Sequence, residues 1–297
     1  MIVRSVELAY PRHVSEEVDL LAEALSEAAH VFVFLDYSGT LVPQGRRGDP
    51  RPHPDVLKKL NQLSGVRSFS VFVMGEQTVR ELKDMVGIEG VGYIGQRGCE
   101  ICEARGPTFY PVGPEDIDTL VQRLELEVHR HLEAYRGVRV ENRGFALAVH
   151  YGDLAAHTAD GLSGIVAGLV RRLDLQRRLE VLYGDGVIEV CLSGWHKGDA
   201  VRYILGRTTP DDSLAIYLGD DVTDEEAFEA VEEWSETSTG DLTWFMPAEN
   251  DDDEAARALT ILVAGEPRPT AAMLFVRNPK EVYEFLSSLA TIASTLL

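Results

Sequence analysis

Cysteine and lysine are both scarce in this chain of 297 residues. Its three cysteines, Cys99, Cys102 and Cys191, are too few for a disulfide framework. Cys99 and Cys102 have the spacing of a redox or zinc site, but no second pair accompanies them, so we expect buried thiols. Only five lysines stand against 23 arginines, which draws attention to any lysine that lies beside a motif.

Long apolar runs and positive charge are also missing. No apolar run approaches the ~18 residues that a membrane-spanning helix requires. The first residues lack the basic and apolar pattern of a secretory signal. A formal net charge of -21 is a poor match for nucleic acid or an anionic membrane. We therefore expect neither as a partner, and a cytoplasmic location. Most of the acidic residues are expected to lie on solvated surface.

Two apolar runs each lead into acidic residues and a glycine-containing turn. The runs cover residues 31–35 and 214–218, and the acidic residues after them are Asp36, then Asp220, Asp221 and Asp224. Open α/β sheets bind ligands outside the carboxyl ends of their strands, so we expect these carboxylates to converge. Converging carboxylates repel one another unless a cation lies between them, and a cluster of oxygen ligands suits Mg²⁺. A capping role for Asp220 and Asp221 at a following helix is the alternative.

The order of helical and strand patterns predicts a doubly wound, parallel α/β sheet. Helical periodicity alternates with short apolar strands as far as residue 102, with Ser15 as the expected N-cap of the first helix. Proline and glycine break this rhythm after residue 105, and helices with paired strands follow. We predict a core of residues 1–106 and 194–297 and an inserted α+β domain of residues 107–193.

Several motifs resemble those of haloacid-dehalogenase-type (HAD) phosphatases, above all trehalose-6-phosphate phosphatases. Residues 36–41, DYSGTL, resemble the first family motif Asp-Tyr-Asp-Gly-Thr-Leu, and residues 219–225, GDDVTDE, match the last. Residues 95–101, GQRGCEI, and 140–145, VENRGF, resemble further family segments in the same order. The chain is thus identified as a divergent member along nearly its whole length. The resemblance implies a Rossmann-like core with a substrate-specificity cap that closes over the site.

The resemblance also implies roles for individual residues. Asp36 matches the nucleophile, whose carboxylate attacks phosphorus and forms an aspartyl-phosphate that water then hydrolyses. Lys197 matches the lysine that stabilises the transferring phosphoryl group. Mg²⁺ would be held by Asp36, the main-chain carbonyl of Ser38 and Asp220, with Asp221 or Asp224 close behind. The matching substrate-binding positions are Gly39, Thr40 and Gly75 in the core and Glu141, Arg143 and Glu189 in the cap. For the charged cap residues, an ordinary exposed surface is an equally good interpretation.

Four positions depart from the family pattern. Ser38 replaces the aspartate that protonates the leaving sugar oxygen and then activates water, and a serine has no accessible pKa for that work. Met74 and Glu76 replace a serine and an arginine in the second motif, which removes a hydroxyl donor and places negative charge where an anion should bind. Gly152 replaces a cap arginine. Together these changes predict a weakened or abolished phosphatase.

Two functions remain open on this evidence. The first is a slow Mg²⁺-dependent phosphatase that acts on trehalose 6-phosphate or a similar sugar phosphate. The second is a non-catalytic relative that binds a sugar phosphate or a partner such as a trehalose-phosphate synthase. The sequence does not indicate an oligomeric state.

Overall fold

The chain forms two compact units. A computed structural model describes residues 8–44, 51–111, 117–152, 156–184, 186–208, 212–236 and 257–295. The larger unit contains Met1–Phe109 and His196–Leu297, and the smaller unit contains Tyr110–Trp195. Within the described ranges, no helix is both long and apolar enough to cross a membrane.

Strands and helices alternate through most of the larger unit. The strands are β1 (Arg12–His13), β2 (His30–Asp36), β3 (Phe69–Met74), β4 (Gly92–Gly95), β5 (Glu100–Cys102), β6 (Thr108–Phe109), β7 (Arg139–Asn142), β8 (Leu147–His150), β9 (Leu179–Gly184), β10 (Val187–Leu192), β11 (Ser213–Gly219), β12 (Ala258–Val263) and β13 (Leu274–Val276). The helices are α1 (Val18–Glu27), α2 (Pro54–Ser64), α3 (Val79–Val86), α4 (Ile117–Leu132), α5 (Ala156–Leu173), α6 (Lys197–Leu205), α7 (Glu225–Ser235) and α8 (Pro279–Thr295). Strands β7–β10 and helices α4 and α5 belong to the smaller unit.

The larger unit is built on one sheet with strand order β1-β13-β12-β11-β2-β3-β4-β5-β6. The first seven strands in this order, which end with β4, all run parallel to their neighbours. β5 and β6 extend the sheet beyond β4 in antiparallel pairing. β2 lies between β11 and β3, and from Val31 onward all its residues are buried. A continuous β-branched and aromatic run is typical of a strand covered on both faces. The predicted α/β class is confirmed.

Helices cover both faces of this sheet. Val33 and Leu35 of β2 belong to one apolar cluster, together with buried residues of α1, α2, α3 and α8. Phe32 and Phe34 alternate with them and belong to a second cluster with α6 and α7. A one-residue slip of β2 would exchange the two sets, so packing on both faces fixes the register that brings Asp36 to the strand's end.

The smaller unit is an antiparallel sheet with two helices. Its strand order is β7-β8-β10-β9. α4 buries Leu124 and Val128, and α5 buries Leu162 and Val166, all at helical spacing. β9 and β10 form an antiparallel hairpin, which agrees with the paired strands predicted for this part of the sequence, and Asp185 between them lies outside the described residues.

Three local predictions were wrong or incomplete. Ser15 does not cap α1, because it lies in a short 3₁₀ turn (Val14–Glu16), and the residue before α1 is Glu17, whose side chain makes no capping bond. The turn follows the edge strand β1, which pairs with β13 and is too short to show a period in sequence. β5, which was predicted as part of the parallel series, pairs antiparallel with β4.

Candidate active site

Two adjacent parallel strands bring acidic residues to one edge of the sheet. Leu35 of β2 lies opposite Leu218 of β11, so Asp36 and Asp220 emerge side by side where these strands end. Carboxylate oxygens of Asp36, Asp220 and Asp224 lie within 4.8 Å of one another. Asp36 and Asp224 are buried. The convergence expected from the sequence pattern therefore describes the geometry of this edge.

Lys197 joins two of these carboxylates. Its Nζ donates to Oδ1 of Asp36 at 2.7 Å and to Oδ1 of Asp224 at 2.7 Å. It is the first residue of α6, and the next residue, Gly198, permits close packing because a Cβ there would lie 2.4 Å from the main-chain oxygen of Glu226. Burial acts to lower the pKa of Lys197, but the charges of Asp224 and Asp36 outweigh it and raise that pKa well above its ordinary value. The ammonium thus stays protonated.

The carboxylate of Asp224 is saturated with hydrogen bonds. Oδ1 accepts from Lys197 Nζ and from the hydroxyl of Tyr217, both at 2.7 Å. Oδ2 accepts from the main-chain N–H groups of Asp220 and Asp221 at 3.0 and 3.2 Å. Asp224 therefore positions Lys197 and the loop after β11. The sequence interpretation missed Tyr217, because within the apolar run nothing marks which side chain reaches this carboxylate.

Asp221 has a local role as well. Its Oδ1 accepts from the N–H of Thr223 at 2.7 Å and from the Thr223 hydroxyl at 2.6 Å. Burial acts to raise the pKa of Asp221, but Lys197, the Thr223 hydrogen bonds and Arg97 lower it overall. Asp221 therefore acts as a helix cap, which was the alternative considered for Asp220 and Asp221. The contacts of the Asp220 carboxylate are different.

The carboxylate of Asp220 lies against the first-motif turn. Gly39 has a φ of +88°, and a Cβ built there would lie 2.0 Å from Oδ2 of Asp220. Next to it, Thr40 is fully buried, and its Oγ1 has no hydrogen-bond partner among the described residues. A buried hydroxyl of this kind is a group that a bound ligand would satisfy.

The charges at this edge fit a divalent cation. Three carboxylates in their ionised form and one ammonium would carry a net charge of two negative units, which a divalent cation would balance. Burial raises the pKa of Asp36 well above its usual range, although Lys197 opposes the shift. Burial, with the charges of Asp224 and Asp221, raises the pKa of Asp220 to about 7. A dense set of hard oxygen ligands in a negative environment is a suitable site for Mg²⁺.

The second-motif loop contains an ion pair that the sequence interpretation overlooked. β3 ends at the buried Met74, and Gly75 and Glu76 follow. Nη2 of Arg97, from the loop after β4, donates to Oε1 of Glu76 at 2.8 Å. The sequence predicted an uncompensated negative charge at Glu76, but Arg97 forms an ion pair with it. The two residues are 21 positions apart in separate loops, so no local pattern connects them.

The loop that carries Arg97 is strained. Gln96 and Arg97 have φ values of 48° and 56°, and each such non-glycine residue costs on the order of 1–3 kcal/mol. The N–H of Gln96 donates to the main-chain oxygen of Gln77 at 2.9 Å, and the N–H of Arg97 donates to that of Gly75 at 3.1 Å. These bonds fasten the loop after β4 to the loop after β3.

In the smaller unit, the three predicted cap residues form one network. Arg143 donates to Glu141 at 3.0 Å and to Glu189 at 3.1 Å. Both glutamates lie opposite Ala148 of the central strand β8, which places them on one face. His150 lies 2.9 Å from Glu141, and its hydrogen bond, followed by that of Arg143, lowers the pKa of Glu141. Glu189 is buried, so an ordinary exposed surface does not describe this group.

Comparison with known proteins settles the family. The family model described as trehalose-phosphatase matches residues 34–258. The chain belongs to the trehalose-phosphatase family. The family resemblance predicted from the motifs is thereby confirmed. The Arabidopsis thaliana protein "Probable trehalose-phosphate phosphatase G" is 27% identical over 305 residues, which cover 95% of this chain and 74% of that protein.

Solved structures of similar proteins share the fold. The C-terminal domain of C. albicans trehalose-6-phosphate phosphatase has a TM-score of 0.77 at 20% identity. The match covers 96% of this chain and 99% of the C. albicans domain. The C-terminal domain of the Candida albicans trehalose synthase regulatory protein has a TM-score of 0.70 at 12% identity, over 94% and 99% of the two chains. At these identities the likeness is one of fold.

Proposed function

We propose that this chain is a Mg²⁺-dependent phosphomonoesterase for a sugar phosphate, trehalose 6-phosphate or a close analogue. The observation that carries the proposal is the hydrogen bond from Lys197 to Asp36. It lies at the edge of the sheet where the Asp220 carboxylate is also found. Membership of the trehalose-phosphatase family and the name of the Arabidopsis relative support the substrate class.

Asp36 and Lys197 would perform the phosphoryl transfer. The Asp36 carboxylate attacks phosphorus, the bond from phosphorus to the sugar oxygen breaks, and the phosphoryl group is left on Asp36. Lys197 holds Asp36 in place at 2.7 Å and offsets the negative charge of the phosphoryl oxygens. Mg²⁺, when bound by Asp36, Asp220 and the main-chain carbonyl of Ser38, supplies Lewis-acid charge neutralisation.

The proton transfers are the weak step in this mechanism. The leaving sugar oxygen needs a proton, and the water that hydrolyses the aspartyl-phosphate must lose one. Ser38 occupies the position from which an aspartate performs both transfers in the family. General acid–base catalysis contributes about 10²–10⁴-fold in rate, so we propose a correspondingly slow enzyme.

The smaller unit would supply the sugar contacts. We assign sugar recognition to Glu141, Arg143 and Glu189, because the network presents two carboxylates and a guanidinium on one face of the sheet. Hydroxyl groups of a sugar can donate to such carboxylates and accept from the guanidinium. In this proposal the unit is the substrate-specificity cap of the enzyme.

A non-catalytic binding protein is the second candidate. The observation that favours it is the loss of polar groups at the reaction centre: Ser38 lacks a carboxyl, and Met74 at the second motif is fully buried and offers no hydroxyl. Such a chain would bind a sugar phosphate, or a trehalose-synthesis partner, without turning over.

Phosphate release from a panel of sugar phosphates tests the proposal. We expect slow release from trehalose 6-phosphate that requires Mg²⁺, stops with EDTA and is absent in Asp36→Asn. Calorimetry with trehalose 6-phosphate on Asp36→Asn measures binding separately from turnover. Binding by the wild type without release from any sugar phosphate would instead establish the second candidate.

A further inference from the structure

Arg97 lies at the same strand edge as the proposed reaction centre. Its loop packs against α6, which begins at Lys197. The side chain is largely buried, with 16% of its surface exposed. A cation in this position acts on the region that a phosphate ester must enter.

The surroundings hold the loop that carries Arg97 in a strained backbone conformation. Two consecutive non-glycine residues, Gln96 and Arg97, are held in the left-handed conformation by bonds to the main chain of the second-motif loop. Gly95 lies so close to α3 that a Cβ there would come within 2.5 Å of the N–H nitrogen of Val79. Strain that the surroundings impose so firmly is concentrated at functional sites.

The charges explain why a cation is needed here. The carboxylates of Asp36, Asp220 and Asp224 make the edge negative, and Glu76 by itself would repel an incoming anion further. The Arg97 guanidinium cancels the charge of Glu76 at 2.8 Å. A guanidinium has five N–H donors in a planar fork, so it can bond a carboxylate along one side and a phosphate oxygen along another.

We propose that Arg97 binds the phosphate group of the substrate and that Glu76 is the positioning residue that holds its guanidinium. This inference rests on the proposed function for the identity of the substrate, and on the ion pair and loop geometry for the residues. It assigns a positioning role to Glu76, a second-motif departure that sequence alone interpreted as a defect.

Inorganic phosphate, titrated by calorimetry into the Mg²⁺-loaded full-length protein, tests the assignment without turnover. Arg97→Gln removes the cation and leaves Glu76 uncompensated, so we expect phosphate affinity to fall about 10- to 100-fold, the range for a charge-assisted hydrogen bond. Glu76→Gln weakens the hold on the guanidinium but keeps an oxygen acceptor and removes a charge that repels phosphate, so its phosphate affinity should stay within about threefold of the wild type. The double variant Glu76→Gln/Arg97→Gln should recover part of the loss, because no uncompensated carboxylate remains.

Arg105 provides a matched control. It is an exposed arginine with a φ of 59°, so Arg105→Gln makes the same chemical change on the same backbone conformation. We expect it to leave phosphate affinity unchanged. Thermal unfolding of every variant identifies misfolding, and Arg97→Lys, which keeps the charge, serves if Arg97→Gln does not fold. The lysine variant should bind phosphate more weakly than the wild type because the planar fork is lost.

The outcomes separate this inference from the proposed function. A folded Arg97→Gln protein with wild-type phosphate affinity overturns the inference and makes the pair purely structural. No phosphate binding by the wild type at millimolar concentration overturns it too. If the wild type releases no phosphate from any sugar phosphate but Arg97→Gln still weakens phosphate binding, the inference holds and the catalytic proposal fails.

Discussion

Gly39 leaves the space that the carboxylate of Asp220 occupies, since a Cβ on Gly39 would lie 2.0 Å from Oδ2 of Asp220. The turn after β2 and the loop after β11 therefore fit together only when residue 39 is a glycine. The φ of +88° at Gly39 is a second reason, because side chains other than glycine rarely adopt it. The first and last motifs of this chain thus fit closely against each other.

We expect Gly39→Ala to displace Asp220 and weaken Mg²⁺ binding at least about tenfold, with roughly 1–3 kcal/mol of strain in the folded state. Calorimetry and urea unfolding measure the two effects. Gly87→Ala is the matched control, because Gly87 has a φ of +70° but nothing within 4 Å of its Cβ position. The Gly87→Ala variant should lose stability because alanine rarely adopts this φ, and it should keep Mg²⁺ binding. Equal Mg²⁺ affinity in both variants would contradict the proposed dependence of the Asp220 position on Gly39.

Mg²⁺ binding should persist despite Ser38 and should depend on pH. The metal displaces a proton from Asp220, whose pKa is raised to about 7, so affinity should fall by up to about tenfold per unit as pH decreases below 7. Titration in buffers of different ionisation enthalpy should show proton release. Asp220→Asn should weaken both the pH dependence and the proton release, while Asp84→Asn, at an exposed position, should change neither. Unaltered binding in Asp220→Asn would disprove this assignment of the ligand.

Stability without metal should decrease between about pH 4 and pH 7. The pKa of Asp220 is 3.8 in an ordinary setting and about 7 in the folded chain, so in this window the folded state holds a proton that the unfolded state has lost. Stability then falls as pH rises, because the folded state binds more protons. Urea midpoints in EDTA at pH 5 and 7.5 measure the slope. We expect Asp220→Asn to reduce the slope, part of which comes from the raised pKa of Asp36, and Asp84→Asn to leave it unchanged; an undiminished slope in Asp220→Asn refutes the shift of Asp220.

Restoring the missing carboxyl should restore acid–base catalysis. Ser38→Asp should raise turnover of trehalose 6-phosphate by up to about 10²–10⁴-fold, which corresponds to ~3–5 kcal/mol of barrier. Ser38→Asn is the control, because it has a similar shape but cannot exchange a proton at neutral pH. Adding Met74→Ser to Ser38→Asp should increase the rate further by returning a hydroxyl donor. A wild-type rate near ~10 s⁻¹, the median for enzymes, would show that another group already does this work.

Much of the site was predictable from sequence because strands place residues by a simple rule. An apolar run followed by an acidic residue and a glycine turn located Asp36 and Asp220 at a strand end, and alternation of helix and strand gave the α/β class. The Arg97 and Tyr217 contacts were not predictable in this way. Each depends on which side chains meet after packing, and periodicity contains no information about that. Ser15 failed as a cap for a related reason, since the edge strand before it is only two residues long.

The position of β2 in the sheet has a consequence for how the protein is made. Asp36 and Lys197 are 161 positions apart, and the whole smaller unit lies between them in the chain. During synthesis β3 can pair with β2 early, but β11 and α6 emerge only after the smaller unit, so one edge of β2 stays open in the meantime. Asp36 therefore lacks its ammonium partner, Lys197, until translation is well past the middle of the chain. A product that ends before β11 would contain the first motif and most of the sequence, yet no site, and its open strand edge would be a place for aggregation to begin.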